Sequence, residues 1–130
     1  MSRAAETFTG MTDSIPHTIP LLDLAGFETT TTAPGVTLVD FTAKWCSPCR
    51  VLGTVLSALS GEYTGRARFV AVDVDAEPML AERYSVRAMP TVVLLRDGRE
   101  VGRVVGSRPR AFVAGMLDRA IAGDVAIASP

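Results

Sequence analysis

The sequence has little cysteine and little histidine. Only two cysteines, Cys46 and Cys49, and one histidine, His17, occur among its 130 residues. So few cysteines exclude a small secreted scaffold held together by several disulfides. Structural zinc normally takes four cysteine or histidine ligands. These three side chains are therefore too few for a zinc site within one chain, and we expect no bound metal.

Long apolar runs and an excess of positive charge are also absent. No stretch approaches the roughly 20 apolar residues of a transmembrane helix, and the first ten residues lack the apolar core of a signal peptide. The net charge is −1 at pH 7 and no segment is polybasic. This composition indicates neither a nucleic-acid partner nor a membrane partner. We expect a monomeric, cytoplasmic globular protein, provided that no leader was removed from the chain.

The two cysteines form a single Cys-x-x-Cys motif between two apolar patterns. The run from Val36 to Phe41 predicts a buried strand, and the periodic segment from Ser47 to about Tyr63 predicts a helix. Residues three apart share a helix face, so the two sulfurs can close a disulfide. Such a short ring constrains the unfolded chain little, which favours exchange over stapling. A structural disulfide and a zinc site shared between two chains are the alternatives.

The predicted helix gives the two cysteines different positions. Cys46 lies at or just before the first turn, where free backbone N–H groups and the helix dipole favour an anion. Because the thiolate is the nucleophile in exchange, Cys46 at a partly exposed site is the candidate attacking sulfur. Cys49 lies one turn deeper and is expected to be more shielded, as a resolving thiol. Pro48 falls near the first helical positions, where proline is tolerated, and it removes an N–H beside the sulfurs.

The remaining patterns predict an α/β fold with one mixed sheet. In chain order we expect an edge strand at 18–22, a brief helix capped by Asp23 that ends near Glu28, the strand 36–41, the helix 47–63, a strand at 68–75, a helix at 76–84, strands at 91–96 and 100–105 joined by Asp97-Gly98, and a helix at 109–121. The order βαβαβαββα indicates a mixed central sheet flanked by helices on both faces. We expect a flexible N-terminal tail over residues 1–16, the domain over 17–122, and a frayed C-terminus over 123–130.

Several motifs of the chain, in register over about residues 18–121, resemble the thioredoxin family. They are Val39-Asp40-Phe41, Trp45-Cys46-Ser47-Pro48-Cys49, Val72-Asp73-Val74-Asp75, Met89-Pro90-Thr91, Asp97-Gly98 and Val105-Gly106. The resemblance implies the thioredoxin fold and a thiol–disulfide oxidoreductase that reduces protein disulfides without a bound cofactor. It also implies two kinds of partner, namely oxidised protein substrates and an NADPH-dependent thioredoxin reductase that supplies electrons.

The resemblance further implies roles for residues outside the cysteine pair. Asp40 would be a buried carboxyl beneath the resolving cysteine, exchanging protons with it, whereas a solvated aspartate is the alternative. A buried ionisable group is unfavourable unless it has a partner or a task, which supports the first role. The Met89-Pro90 bond would be cis and face the disulfide, the alternative being an ordinary trans proline. Trp45 and Gly106 are further candidates for the substrate-binding surface. Trp45 could instead cap the core, and Gly106 could be an ordinary glycine at a strand end.

Four positions depart from the family pattern. Ser47 replaces the usual glycine between the cysteines, and Thr42 replaces an aromatic residue after the strand. Ala71 stands where a lysine neighbours the buried acid, and Thr54 where a proline kinks the active-site helix. The exchange chemistry is expected to survive, but the redox potential and the net direction do not follow from the motif. Oxidation or isomerisation, and a thioredoxin-fold binding or chaperone module with incidental redox turnover, are the alternatives.

Overall fold

The computed structural model describes residues 19–123, which form one four-stranded sheet with helices on both faces. In chain order the elements are α1 (Leu24–Thr31), β1 (Val36–Thr42), α2 (Ser47–Glu62), β2 (Ala67–Asp73), α3 (Pro78–Arg83), β3 (Thr91–Arg96), β4 (Arg99–Val105) and α4 (Arg110–Ala122). The predicted tail over 1–16 and residues 124–130 of the predicted frayed end lie outside the described residues. The domain boundaries therefore stay a prediction.

The sheet has the strand order β2-β1-β3-β4 and is mixed, as expected. β1 runs parallel to β2 and antiparallel to β3, which pairs antiparallel with β4. Every residue of β1 from Val36 to Phe41 is buried, which confirms the predicted central strand. Asp97 and Gly98 turn the chain from β3 into β4 with φ angles of 52° and 86°. Positive φ at both central positions is what a two-residue hairpin turn requires.

Successive side chains of a strand point to opposite faces of the sheet, so the strands contribute to two cores, one on each face. Leu38 of β1 packs with residues of α2 and α4, whereas Val39 and Phe41 pack with residues of α1 and α3. Asp40 has the same parity as Leu38, so its side chain lies on the face that α2 and α4 cover. The sheet thus places a carboxyl group on the same side as the helix that carries the cysteines.

The predicted first strand, over 18–22, is wrong within the described part of the chain. Only Leu21 forms an isolated bridge, parallel to Ala71 of β2. The carbonyl of Pro20 accepts the Ala71 N–H at 2.8 Å, and the Leu22 N–H donates to the Ala71 carbonyl at 2.9 Å. Pro20 has no N–H to extend the ladder, and Asp23 begins a helix directly afterwards, so the pairing stops after one residue.

The first helix begins as predicted but ends later than predicted. Asp23 caps α1, since its Oδ1 accepts the Gly26 N–H at 2.8 Å. The helix then continues through Thr31 instead of ending near Glu28. The hydroxyls of Thr29 and Thr31 donate to carbonyls four residues earlier, at 3.1 and 2.8 Å. Because these hydroxyls are satisfied inside the helix, the run of β-branched residues does not end it.

Candidate active site

Three loops that carry predicted site residues meet at one edge of the sheet. β1 ends at this edge and β3 begins there, since Phe41 pairs with Thr91. β4 ends at the same edge, because Thr91 also pairs with Val105. The segment after β1, the segment before β3 and the segment after β4 therefore converge. They contain the first cysteine, the Met-Pro pair and Gly106 respectively.

Cys46 and Cys49 form a disulfide at the start of α2, with their Cα atoms 5.3 Å apart. Cys46 is the N-cap residue of α2, and its Sγ accepts the Cys49 N–H at 3.2 Å. Pro48 lies in the first helical positions, as predicted. In this disulfide form Cys46 is 4% and Cys49 is 1% exposed. The expected exposure of Cys46 is therefore wrong in this form, whereas Cys49 is the more shielded of the two, as expected. The position of Cys46 at the helix N-terminus is the larger difference between them.

Arg50 connects the loop before α2 to the first turn of the helix. Its Nη1 donates to the Lys44 carbonyl at 2.8 Å, and its Nη2 donates to Ser47 Oγ at 3.2 Å. Ser47 replaces the family's glycine, and its hydroxyl oxygen accepts this bond from Arg50. Glycine has no side chain that could accept it. Arg50 was not among the residues predicted to belong to the site. Its only signal was its spacing of three residues from Ser47, which places the two side chains on one helix face.

Met89 and Pro90 lie beside the disulfide. Met89 packs against the small apolar cluster of Ala43 and the two cysteines. The Met89-Pro90 peptide bond is cis, as the resemblance implied. The Pro90 carbonyl accepts the Gly106 N–H at 2.8 Å, which joins the segment before β3 to the segment after β4. Gly106 has a φ of 87°, and no atom of residues 19–123 other than its chain neighbours lies within 4 Å of the place where a Cβ would be, so the space beside Gly106 is open to these residues.

Trp45 directly precedes Cys46 and is exposed rather than part of a core. Its exposure is 66%, and its indole Nε1 donates to Asp75 Oδ2 at 2.7 Å. Asp75 is held in turn, because its N–H donates to Asp73 Oδ1 at 2.8 Å. The loop after β2 therefore fixes the ring. Asp75 was not predicted as a partner of Trp45, because the two residues are 30 positions apart in the sequence.

Asp40 is a buried carboxyl group, and its Oδ1 has no partner within residues 19–123. The residue is 4% exposed. Burial raises the pKa of Asp40 to about 7. Its neighbours in register are Ala71 on β2 and Val92 on β3, neither of which is charged. The predicted burial of Asp40 is thus confirmed, and its protonation changes near neutral pH.

Two further observations apply to residues 19–123. No group of three or more histidine, cysteine, aspartate or glutamate side chains in this range is arranged to hold a metal ion. No helix in the same range is long and apolar enough to cross a membrane.

Comparisons with known proteins agree with this geometry. A sequence model of the Thioredoxin family matches residues 19–119. The chain belongs to the thioredoxin family. It is 44% identical over 85 residues to a thioredoxin of Staphylococcus epidermidis, a match that covers 65% of this chain and 82% of that one. The chain is therefore a thiol–disulfide oxidoreductase of the thioredoxin type, a protein-disulfide reductase whose redox-active pair is Cys46 and Cys49.

Solved thioredoxin structures have the same fold. Mitochondrial thioredoxin 3 of Saccharomyces cerevisiae in its oxidised form is 37% identical, with a TM-score of 0.70 over 77% of this chain and 94% of that one. A Plasmodium falciparum thioredoxin at 24% identity has a TM-score of 0.73 over 78% of this chain and 98% of that one, which supports the fold alone. Membership in the family implies disulfide substrates and a reductase as partners in general terms.

Proposed function

We propose that this protein reduces disulfide bonds of other cytoplasmic proteins, with Cys46 as the attacking sulfur and Cys49 as the resolving sulfur. The observation that carries the proposal is the N-cap position of Cys46, whose Sγ accepts the Cys49 N–H at 3.2 Å. In the reduced protein, the same N–H and the helix dipole favour a thiolate on Cys46. Cys49 lies inside the first turn and is positioned to attack Cys46 in the second step.

The reaction proceeds through a mixed disulfide. The Cys46 thiolate attacks one sulfur of the substrate disulfide, the substrate S–S bond breaks, and the other substrate sulfur leaves as a thiolate that takes up a proton. Cys49 then loses its proton and attacks Cys46, which releases the second substrate sulfur as a thiolate that is protonated in turn. Two electrons thus pass from the cysteine pair to the substrate, and the two protons that the substrate sulfurs take up balance those that Cys46 and Cys49 have released to their surroundings. An NADPH-dependent thioredoxin reductase returns the two electrons, and the exchange steps proposed here use only the two cysteines and Asp40.

Asp40 is the proposed proton acceptor for Cys49. Three observations support this role: Asp40 lies on the sheet face that α2 covers, its Oδ1 has no partner among the described residues, and burial raises its pKa to about 7. A general base works best when its pKa lies near the operating pH, so that it both accepts and returns a proton. Asp40 acts through Cys49 and does not touch the substrate.

The proposed substrate-binding surface combines Met89, Pro90, Gly106 and Trp45. Met89 contacts the cysteine cluster, and the space beside Gly106 is open. An extended segment of a substrate can lie there and present its disulfide to Cys46. Trp45, held by its bond to Asp75, adds an exposed aromatic ring to this surface next to Cys46.

Single cysteine variants test the assignment of the two sulfurs. We expect Cys46→Ser to abolish reduction of an oxidised protein substrate, because the attacking thiolate is gone. Cys49→Ser should attack normally but accumulate a covalent mixed disulfide, which non-reducing gels detect as a band of summed mass. Adducts with Cys46→Ser and none with Cys49→Ser would reverse the two roles.

The double variant Cys46→Ser, Cys49→Ser is the matched control. It should form no adduct and have no reductase activity, while far-UV circular dichroism reports an intact fold. A thioredoxin-fold binding or chaperone module would instead retain its activity in the double variant. Full cellular activity of the double variant would therefore contradict the proposed function.

A further inference from the structure

The charge at the disulfide edge of the sheet is unevenly distributed. Three segments that enter or leave this edge, over 43–50, 87–90 and 106–109, carry cations and no acidic residue. The cations are Lys44, Arg50, Arg87 and Arg108, and we call them the basic rim. Lys44 and Arg50 flank the cysteine pair. Arg87 precedes the cis-proline, and Arg108 follows the glycine whose N–H bonds to the Pro90 carbonyl.

The rim cations make no ion pair with a described residue. The ion pairs within residues 19–123 use Arg83, Arg103 and Arg110 instead. Lys44, Arg50 and Arg87 are exposed. The guanidinium of Arg108 lies over the Phe112 ring, 4.6 Å from its centroid, which fixes its position without neutralising it. The charge of the rim is therefore available to a bound partner.

Negative charge at the same edge is confined to one side. The loop after β2 and the end of that strand carry Asp73, Asp75 and Glu77. Because β2 is the outermost strand in the order β2-β1-β3-β4, the edge changes from acidic beside β2 to basic across β1, β3 and β4. The whole chain has a net charge of only −1, so the rim does not simply reflect an overall positive charge.

We propose that the basic rim selects oxidised proteins whose disulfide is flanked by acidic residues, with those residues placed over the segments before β3 and after β4. This inference rests on the proposed reductase function and adds a substrate preference to it. Opposite charges about 8 Å apart in water change a binding equilibrium roughly twofold. Several such pairs in one encounter raise the association rate by about tenfold at low salt, and salt screens the effect.

Two disulfide peptides test this preference. They have the same length and one internal disulfide each, and the residues next to the cysteines are glutamates in one and lysines in the other. Pre-reduced protein is mixed with each peptide, and the single-turnover rate of reduction is followed by chromatography. We expect the glutamate peptide to react about tenfold faster at low ionic strength, and the ratio to fall towards one at about 0.5 M salt.

Arg87→Glu tests the rim itself, and Arg99→Glu is its matched control. Both arginines are exposed, but Arg99 begins β4, about 20 Å along the strand from the disulfide edge. Arg87→Glu should lower the ratio of the two rates about fivefold and should accelerate reduction of the lysine peptide, a gain that a folding defect cannot produce. Arg99→Glu should leave the ratio within about twofold of the parent's.

The outcomes separate the two proposals. Equal rates for both peptides at low salt in the parent protein would overturn the rim preference and leave the reductase function standing. An equal loss of preference in Arg87→Glu and Arg99→Glu would also overturn it, because net charge alone would then account for the effect. If reduced protein acts on neither peptide and on no protein disulfide, the proposed function itself fails.

Discussion

At the scale of single residues, Asp40 is the group whose surroundings most alter its chemistry. Burial among uncharged neighbours raises the pKa of this carboxyl from 3.8 to about 7. In the unfolded chain the group ionises near pH 3.9. Between these values the folded protein holds a proton that the unfolded chain has released. The stability that Asp40 contributes is thus fully present below about pH 4, is lost as the pH rises towards 7, and changes no further above that.

Asp40→Asn should abolish this pH dependence. The parent is expected to lose about 4 kcal/mol of its free energy of unfolding between pH 4 and pH 8, since each pKa unit corresponds to about 1.4 kcal/mol. The variant, which has no group to ionise there, should give a nearly flat profile. Urea denaturation of the oxidised proteins across this range measures the effect.

The control for this prediction is Glu82→Gln, which removes an exposed carboxyl and should keep the parent's profile. A parent whose stability does not fall above pH 4, or an Asp40→Asn variant with the parent's slope, would contradict the assignment of the raised pKa to Asp40.

The residues of the site differ in how far the sequence could predict them. Asp40 was predictable because its flanking residues are apolar, and the cysteines because they begin a helix after a strand. The bonds from Trp45 to Asp75 and from Arg50 to the Lys44 carbonyl were not. Such contacts depend on side-chain directions and on loops that approach each other from distant parts of the chain, which periodicity does not describe.

At the scale of elements, the sequence predicted the type of each long element better than its ends. Apolar residues recur every 3.6 residues in a helix that buries one face, and every two residues in a strand that does so. This pattern can therefore be read from the sequence. The end of α1 depends on hydrogen bonds of threonine hydroxyls, which formed inside the helix. The apolar run at 18–22 has the composition of a strand, but only Leu21 finds a partner residue.

Two glycine-to-alanine substitutions test how local backbone conformation affects stability, and we expect them to change the free energy of unfolding in opposite directions. Gly98 of the β3–β4 turn has a φ of 86°, and a Cβ there would lie 3.3 Å from the Thr31 carbonyl oxygen. Gly98→Ala should therefore destabilise the protein by about 1–2 kcal/mol. Gly115 lies inside α4, and apart from the backbone of its own helix no described residue comes within 4 Å of a new Cβ. Gly115→Ala should stabilise it by about 0.5–1 kcal/mol.

Guanidinium denaturation of both oxidised variants measures the two shifts, and each variant serves as the other's control because the chemical change is identical. Shifts of the same sign would mean that the local backbone conformation does not decide the effect of the added methyl group.

At the scale of the whole molecule, the two cores share their strands. β1 and β3 give side chains of one parity to the core beneath α2 and α4, and side chains of the other parity to the core beneath α1 and α3. Loss of packing on one face therefore weakens strands that also support the other face. We expect the described domain to unfold as one cooperative unit rather than layer by layer.

A pair of leucine truncations, one in each core, tests this cooperativity. Leu59 of α2 and Leu80 of α3 are both fully buried, in the first and the second core respectively. Leu59→Ala and Leu80→Ala should each lower the free energy of unfolding by about 2–5 kcal/mol. Both variants should give urea transitions that coincide by far-UV circular dichroism and by Trp45 fluorescence. If Leu80→Ala melted part of the helical signal before the fluorescence changed, α1 and α3 would form a layer that unfolds independently, and the shared strands would not couple the two faces.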